Sequence, residues 1–176
     1  MSENDPTLKE RLARVPQVGA VAWIGVRPER EAPMRVVDQA VAIEGRGLDG
    51  DRATSSGRPG SKRQVTLIQR EHLDVVARLC GRPSVDPSLL RRNVVVEGVN
   101  LIALRRMRFA IGDEVVLEGS GPCEPCGKMD ASLGDGGFHA MRGHGGITAR
   151  VVRGGRVRVG DPVRAMELID GAVDEP

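Results

Sequence analysis

The chain has 176 residues, 40% of them apolar and 28% charged, with a mean hydropathy of −0.23. That length fits one domain of roughly 100–200 residues, and the composition excludes a disordered chain, a collagen-like repeat and, with no apolar run near ~20 residues, a membrane span. Net charge is only +2, and with no Tyr, two Phe and one Trp the chain lacks the basic, aromatic surface that grips nucleic acid.

Asp5-Pro6 predicts a helix start, cap then first-turn proline, with Leu8, Leu12 and Val15 at helical spacing. The next stretches, 19–27 and 35–44, predict strands. Residues 45–60, crowded with Gly, Ser and Pro, read as a long loop. A strand is predicted over 64–69 and a short helix over 70–80, with Leu73, Val76, Ala77 and Cys80 on one stripe. Asp86-Pro87 opens another helical turn ahead of a strand at 93–97. From Phe109 onward the pattern is β throughout, with a strand at 114–118 and a hairpin of 147–153 and 156–159 turning at Gly154-Gly155. Many short strands with two or three helices predict a mainly β fold, a barrel or sandwich with helical decoration.

Two motifs mislead. Gly45-Arg46-Gly47-Leu48-Asp49-Gly50 satisfies GxGxxG after a predicted strand. A dinucleotide site needs a helix to open there, and the Ser, Gly and Pro that follow predict none. Cys123, Cys126, His139 and His144 have zinc-finger spacing. The finger requires its histidines on a helix, and the Gly-rich segments 127–138 and 139–146 predict no helix; a zinc site of another shape is left open.

The main chemical signal is Pro122-Cys123-Glu124-Pro125-Cys126. Two cysteines three apart in a proline-stiffened loop suit a redox pair, a shared metal, a single reactive thiolate or a plain buried turn. Cys80, on the apolar stripe of its helix, reads as core. Lys62-Arg63 and Arg91-Arg92-Asn93 each precede an apolar strand and offer guanidinium and amide groups for an anion. Strand alternation would turn the side chains of Arg91 and Arg92 to opposite faces.

In order, Gly47–Arg52, Gln64–Ile68, Arg91–Val96, 109–117, the Cys123/Cys126 pair, His144-Gly145-Gly146 and Gly155 with Val159–Val163 resemble the MOSC family, the domain at the carboxyl end of molybdenum cofactor sulfurases. The resemblance implies a MOSC-type β-barrel over residues 19–166, with a helical extension over 1–18 and a tail over 167–176. It implies a molybdenum cofactor (molybdopterin), with Cys126 as the thiolate ligand of the metal and catalytic residue. Arg91 and Asn93 match pterin- and phosphate-binding positions, and Arg63 and Arg92 belong to the same cofactor-binding set. The implied activity is a molybdenum-dependent oxidoreductase that reduces small N-hydroxylated or N-oxide compounds. Neither an iron–sulfur nor a flavin module falls within the resemblance, so electrons would come from a separate protein. The alternative is a non-catalytic cofactor-binding or persulfide sulfur-carrier module fed by a sulfur donor. A charged start without an apolar core segment and three cysteines outside any disulfide framework suggest the cytoplasm, with neither nucleic acid nor membrane as partner.

Overall fold

The structure, a computed structural model, describes residues 5–169. From the start, α1 (Leu8–Ala13) leads into β1 (Val18–Val26), β2 (Arg35–Val37), β3 (Gln39–Ile43) and β4 (Gly47–Leu48). Then come α2 (Arg52–Ser56), β5 (Val65–Gln69), α3 (Arg70–Leu79), a 3-10 turn (Pro87–Leu90) and β6 (Val94–Glu97). α4 (Leu101–Leu104), β7 (Met107–Ile111) and β8 (Val115–Pro122) follow, then α5 (Lys128–Leu133) and α6 (Gly137–Met141). The last described elements are β9 (Ile147–Arg153), β10 (Gly155–Arg158) and β11 (Pro162–Leu168).

Seven strands close a barrel in the order β1, β11, β7, β8, β9, β5, β6, because β11 pairs with both β7 and β1. A ring of seven cannot alternate direction throughout, so one neighbouring pair must run parallel. That pair is β5 and β6, with Leu67 opposite Val94, joined by the α3 crossover that a parallel connection needs. The barrel is filled by Phe109, Met107, Ile111, Leu117, Leu67 and their neighbours. A second apolar layer lies outside, where Ile68 and Val95 meet Leu73, Val76, Leu90, Met129 and Met141. β5 and β6 are therefore buried on both faces, which is why they read as continuous apolar runs. Each fully buried side chain of this kind contributes roughly 1.5–3 kcal/mol.

The parallel pair positions the site. It brings the residues ahead of β5, Arg63 and Gln64, beside those ahead of β6, Arg91 to Asn93. β1 runs antiparallel to β6 and ends, with Val26 and Arg27, at the same rim.

Several sequence expectations need correction. The strand foreseen over 35–44 breaks at Asp38 into β2 and β3, which join different sheets. The loop foreseen over 45–60 holds β4 and α2, the latter capped by Asp51, whose Oδ1 accepts from the Ala53 amide at 2.9 Å. Segment 109–164 is not all β: α5 and α6 interrupt it, and His139 sits on α6. β9 and β10 are not paired as a hairpin; β10 pairs with β3, because the chain changes sheets at Gly154-Gly155. α1 is capped by Thr7 in a box with Glu10, two residues beyond the foreseen Asp5. Leu8, on the foreseen apolar stripe of α1, is 71% exposed. The foreseen tail lies, from residue 170 on, outside the described residues. Among the described residues no helix is long and apolar enough to cross a membrane.

Candidate functional site

A cleft of about 380 Å³ opens at the rim defined by β5, β6 and the end of β1. Arg63, Arg91, Arg92, Asn93 and Cys126, all singled out from the sequence, line it together. Among its described lining residues seven are cations (Arg27, Arg30, Arg52, Arg63, Arg91, Arg92 and Lys128) and one, Asp51, is a carboxylate.

Arg91 and Arg92 share this cleft, contrary to the alternation argument. The strand begins only at Val94; Arg91 caps the 3-10 turn in the left-handed region, at φ 58°. Alternation does not apply to a residue outside the strand. A non-glycine residue held there is strained, and its Nη2 donates to the Arg30 carbonyl at 2.8 Å.

Arg92 is 3% exposed. Its Nε donates to the Gly145 carbonyl and its Nη1 to that of Leu90, both at 2.8 Å, and Nη2 donates to the Cys123 carbonyl at 3.1 Å. One planar fork thus ties together the turn before β6, the cysteine loop and the His144-Gly145-Gly146 segment. The same closeness requires glycine: a Cβ on Gly145 would lie 2.3 Å from the Cys123 carbonyl, and one on Gly146 1.9 Å from that of Leu67. Burial holds the Arg92 pKa below its ordinary value, with the neighbouring Cys123 opposing that shift.

Asn93 is engaged entirely inside the protein. Its Oδ1 accepts from the Thr66 amide and hydroxyl, and its Nδ2 donates to the Gly25 carbonyl and, at 2.9 Å, to Asp51 Oδ2. Asp51 Oδ2 also accepts from the Arg27 amide at 2.9 Å. Asn93 therefore positions Asp51 and Arg27 in the cleft wall.

Cys126 is exposed on the cleft, whereas Cys123 is buried, with Arg63 Nη2 3.4 Å from its Sγ. Arg63, grouped by sequence with the anion-binding set, thus stands at the thiol end. Cys80, foreseen as core on its helix, is the C-cap residue of α3 and only half-buried against the helical layer. The four zinc-spaced residues form no metal cluster; among the described residues no three His, Cys, Asp or Glu side chains converge.

Sequence reasoning missed Arg27, Arg52, Arg30 and Lys128. Arg27 Nε is buried without a hydrogen-bond partner. Burial and then the nearby Arg91 charge push the Arg27 pKa down, and Asp51 opposes them only in part. A guanidinium stays protonated regardless, so the crowding of like charge persists in the cleft wall. Lys128 Nζ bonds Glu31 at 2.9 Å and holds its carboxyl below the usual range, tying the segment after β1 to α5 across the cleft.

Behind the cysteine loop, His72 and His144 meet edge-to-face with ring centroids 5.1 Å apart, each with a buried, unpartnered Nδ1. Burial, then His144, lowers the His72 pKa from 6.5. The unfolded chain therefore takes up this proton at a higher pH than the folded one. Stability is full above about pH 6.5 and falls as pH drops from there towards the folded pKa. Urea midpoints measured across that range should fall with acidity, and His72→Gln should flatten the slope.

Residues 53–164 match the MOSC domain. Similar solved folds include the YUAD protein from Bacillus subtilis, at 20% identity and a TM-score of 0.74 over 88% of this chain and 99% of that one. YiiM from Geobacillus stearothermophilus has 16% identity and a TM-score of 0.65, over 85% of this chain and 75% of that one. YiiM from Escherichia coli has 21% identity and a TM-score of 0.63, over 85% and 71%. At such identities the likeness is one of fold. No curated protein matches the sequence. With its barrel and most of its length matched, the chain belongs to the MOSC domain family, a family associated with molybdenum-cofactor binding.

Proposed function

We propose that the cleft holds the molybdenum cofactor, its terminal phosphate on Arg27, Arg52 and Arg91 and its metal end at Cys126. The protein then reduces N-hydroxylated or N-oxide compounds with electrons from a separate protein. The observation that carries this reading is the convergence, on one cleft, of an exposed thiol and a surplus of cations that includes a buried, unpartnered Arg27 Nε.

The residues fit the group. A thiolate suits a soft metal centre, and guanidinium forks suit a phosphate. When bound, the cofactor supplies a metal that changes oxidation state while oxygen leaves the substrate. Everything else falls to the chain. Arg27 and Arg91, already crowded by like charge, bind the dianion without first breaking a carboxylate partner. Asp51 and Asn93 hold Arg27 in place, and Arg92 fixes the backbone of the Cys123–Cys126 loop.

Cys126→Ser tests the reading. The variant is expected to fold as the parent does, to lose turnover of a hydroxylamine substrate, and to show one sulfur ligand fewer by X-ray absorption at the molybdenum edge. Parent-rate turnover would remove Cys126 from the metal. A parent protein that carries no molybdenum, yet gains one sulfur atom in intact mass that a reductant removes, would favour the persulfide-carrier alternative.

A further inference from the structure

We propose that Cys123 and Cys126 form a reversible disulfide when a hydroperoxide enters the cleft, making the thiol end a redox-sensitive modification site.

The two cysteines are unequal in the way such a pair requires. Cys126 is exposed on the cleft wall, where a small oxidant meets it first. Cys123, three residues away in sequence, is 1% exposed and shielded from direct attack. Its backbone is fixed at both ends: the amide donates to the Gly146 carbonyl at 2.9 Å, and the carbonyl accepts from Arg92. Its sulfur lies 3.4 Å from the Arg63 guanidinium, a donor that stabilises the thiolate present on Sγ before it attacks. Both sulfurs also lie near enough to the Arg92 guanidinium to act on its pKa. Cys80, packed against the helical layer, shares none of these contacts.

The chemistry balances in two steps. The Cys126 thiolate attacks the terminal peroxide oxygen; the O–O bond breaks, a sulfenic acid forms, and the remaining oxygen leaves with the proton the Cys126 thiol had lost, as an alcohol, or as water from hydrogen peroxide. The Cys123 thiolate then attacks Cys126 Sγ; the S–S bond forms, the S–O bond breaks, and hydroxide leaves as water with the proton lost by the thiol. Overall two thiols lose two electrons and two protons, and the peroxide gains them. A cellular thiol reverses the reaction by exchange. Oxidation would also withdraw the Cys126 sulfur from any metal. That consequence rests on the cofactor reading above, whereas the disulfide does not, so the two fail separately.

The experiment treats the reduced full-length protein with hydrogen peroxide and maps its peptides without reduction. The expected product is a Cys123–Cys126 link, lost on adding dithiothreitol, with Cys80 left free. In Cys123→Ser the sulfenic acid at Cys126 should persist and take up several-fold more dimedone than the parent. Arg63→Gln, with Cys123 present, should also raise labelling by slowing the second step. Direct passage of Cys126 to sulfinic acid with no linked peptide, or a link made through Cys80, would overturn the proposal. The parent's peptide map decides the matter even if Cys123→Ser does not fold.

Discussion

Arg92→Ala is expected to lower stability by about 2–4 kcal/mol and to loosen the loop carrying both site cysteines. The variant leaves the carbonyls of Gly145, Leu90 and Cys123 without their donor. A buried group left unpaired costs about 1–3 kcal/mol. Two effects offset part of that sum: the parent buries a cation without a carboxylate partner, and the emptied space borders the cleft, so water can enter. Arg92→Met separates the terms. It keeps the bulk and removes the charge, so if desolvation of the guanidinium dominated, it would be as stable as the parent. With the carbonyls dominant it should lie near the alanine variant. Urea midpoints measure this, and the alkylation rate of buried Cys123, expected to rise in both variants, reports on the loop itself. Parent-like midpoints with Cys123 still protected would show that the fork holds nothing.

Arg91→Gly should separate stability from binding. Glycine relieves a left-handed backbone that costs an L-residue about 1–2 kcal/mol, but it loses roughly 0.5–1 kcal/mol through added freedom in the unfolded chain. The exposed bond to the Arg30 carbonyl is lost as well. These nearly cancel, so the melting temperature should move little. Removing one charge-assisted contact of roughly 1.5–3 kcal/mol should weaken cofactor phosphate binding by about 10–150-fold. Binding lost without stability lost identifies strain kept for a ligand. Unchanged affinity would instead leave Arg91 as an anchor for the segment after β1 only.

Much of this architecture is legible in the sequence because it rests on local signals. The apolar runs 65–68 and 94–96 announced strands, and the stripe Leu73, Val76, Ala77 announced the crossover helix between them. Arg63 and Arg91 to Asn93 could be singled out because they border apolar strands, and the Cys123/Cys126 pair because prolines stiffen its loop; the choice of Cys126 within that pair came from the family resemblance. Arg27 could not, since nothing local marks it, and Arg52 stood out only as the end of the Gly47–Arg52 motif, with no binding role attached to it. Only the antiparallel pairing of β1 with β6 and the bond between Asn93 and Asp51 bring them to the rim. The facing of Arg92 failed for a different reason: the residue before it sits in a turn, where the period-two rule has no force. α5 and α6 escaped because they are short and flanked by glycine. Packing of Met129, Leu133 and Met141 against Leu90 and Ile68, rather than helix propensity, sustains them.

The cofactor assignment is tested most directly by molybdenum and pterin content per folded chain, for protein made in a cofactor-competent host. The parent should carry both in equal amounts, Arg91→Gly should lose both together after dilution and gel filtration, and its melting temperature should stay near the parent's. A parent that purifies folded with neither metal nor pterin, or an Arg91→Gly variant that retains both as the parent does, would contradict the assignment of this cleft to the cofactor.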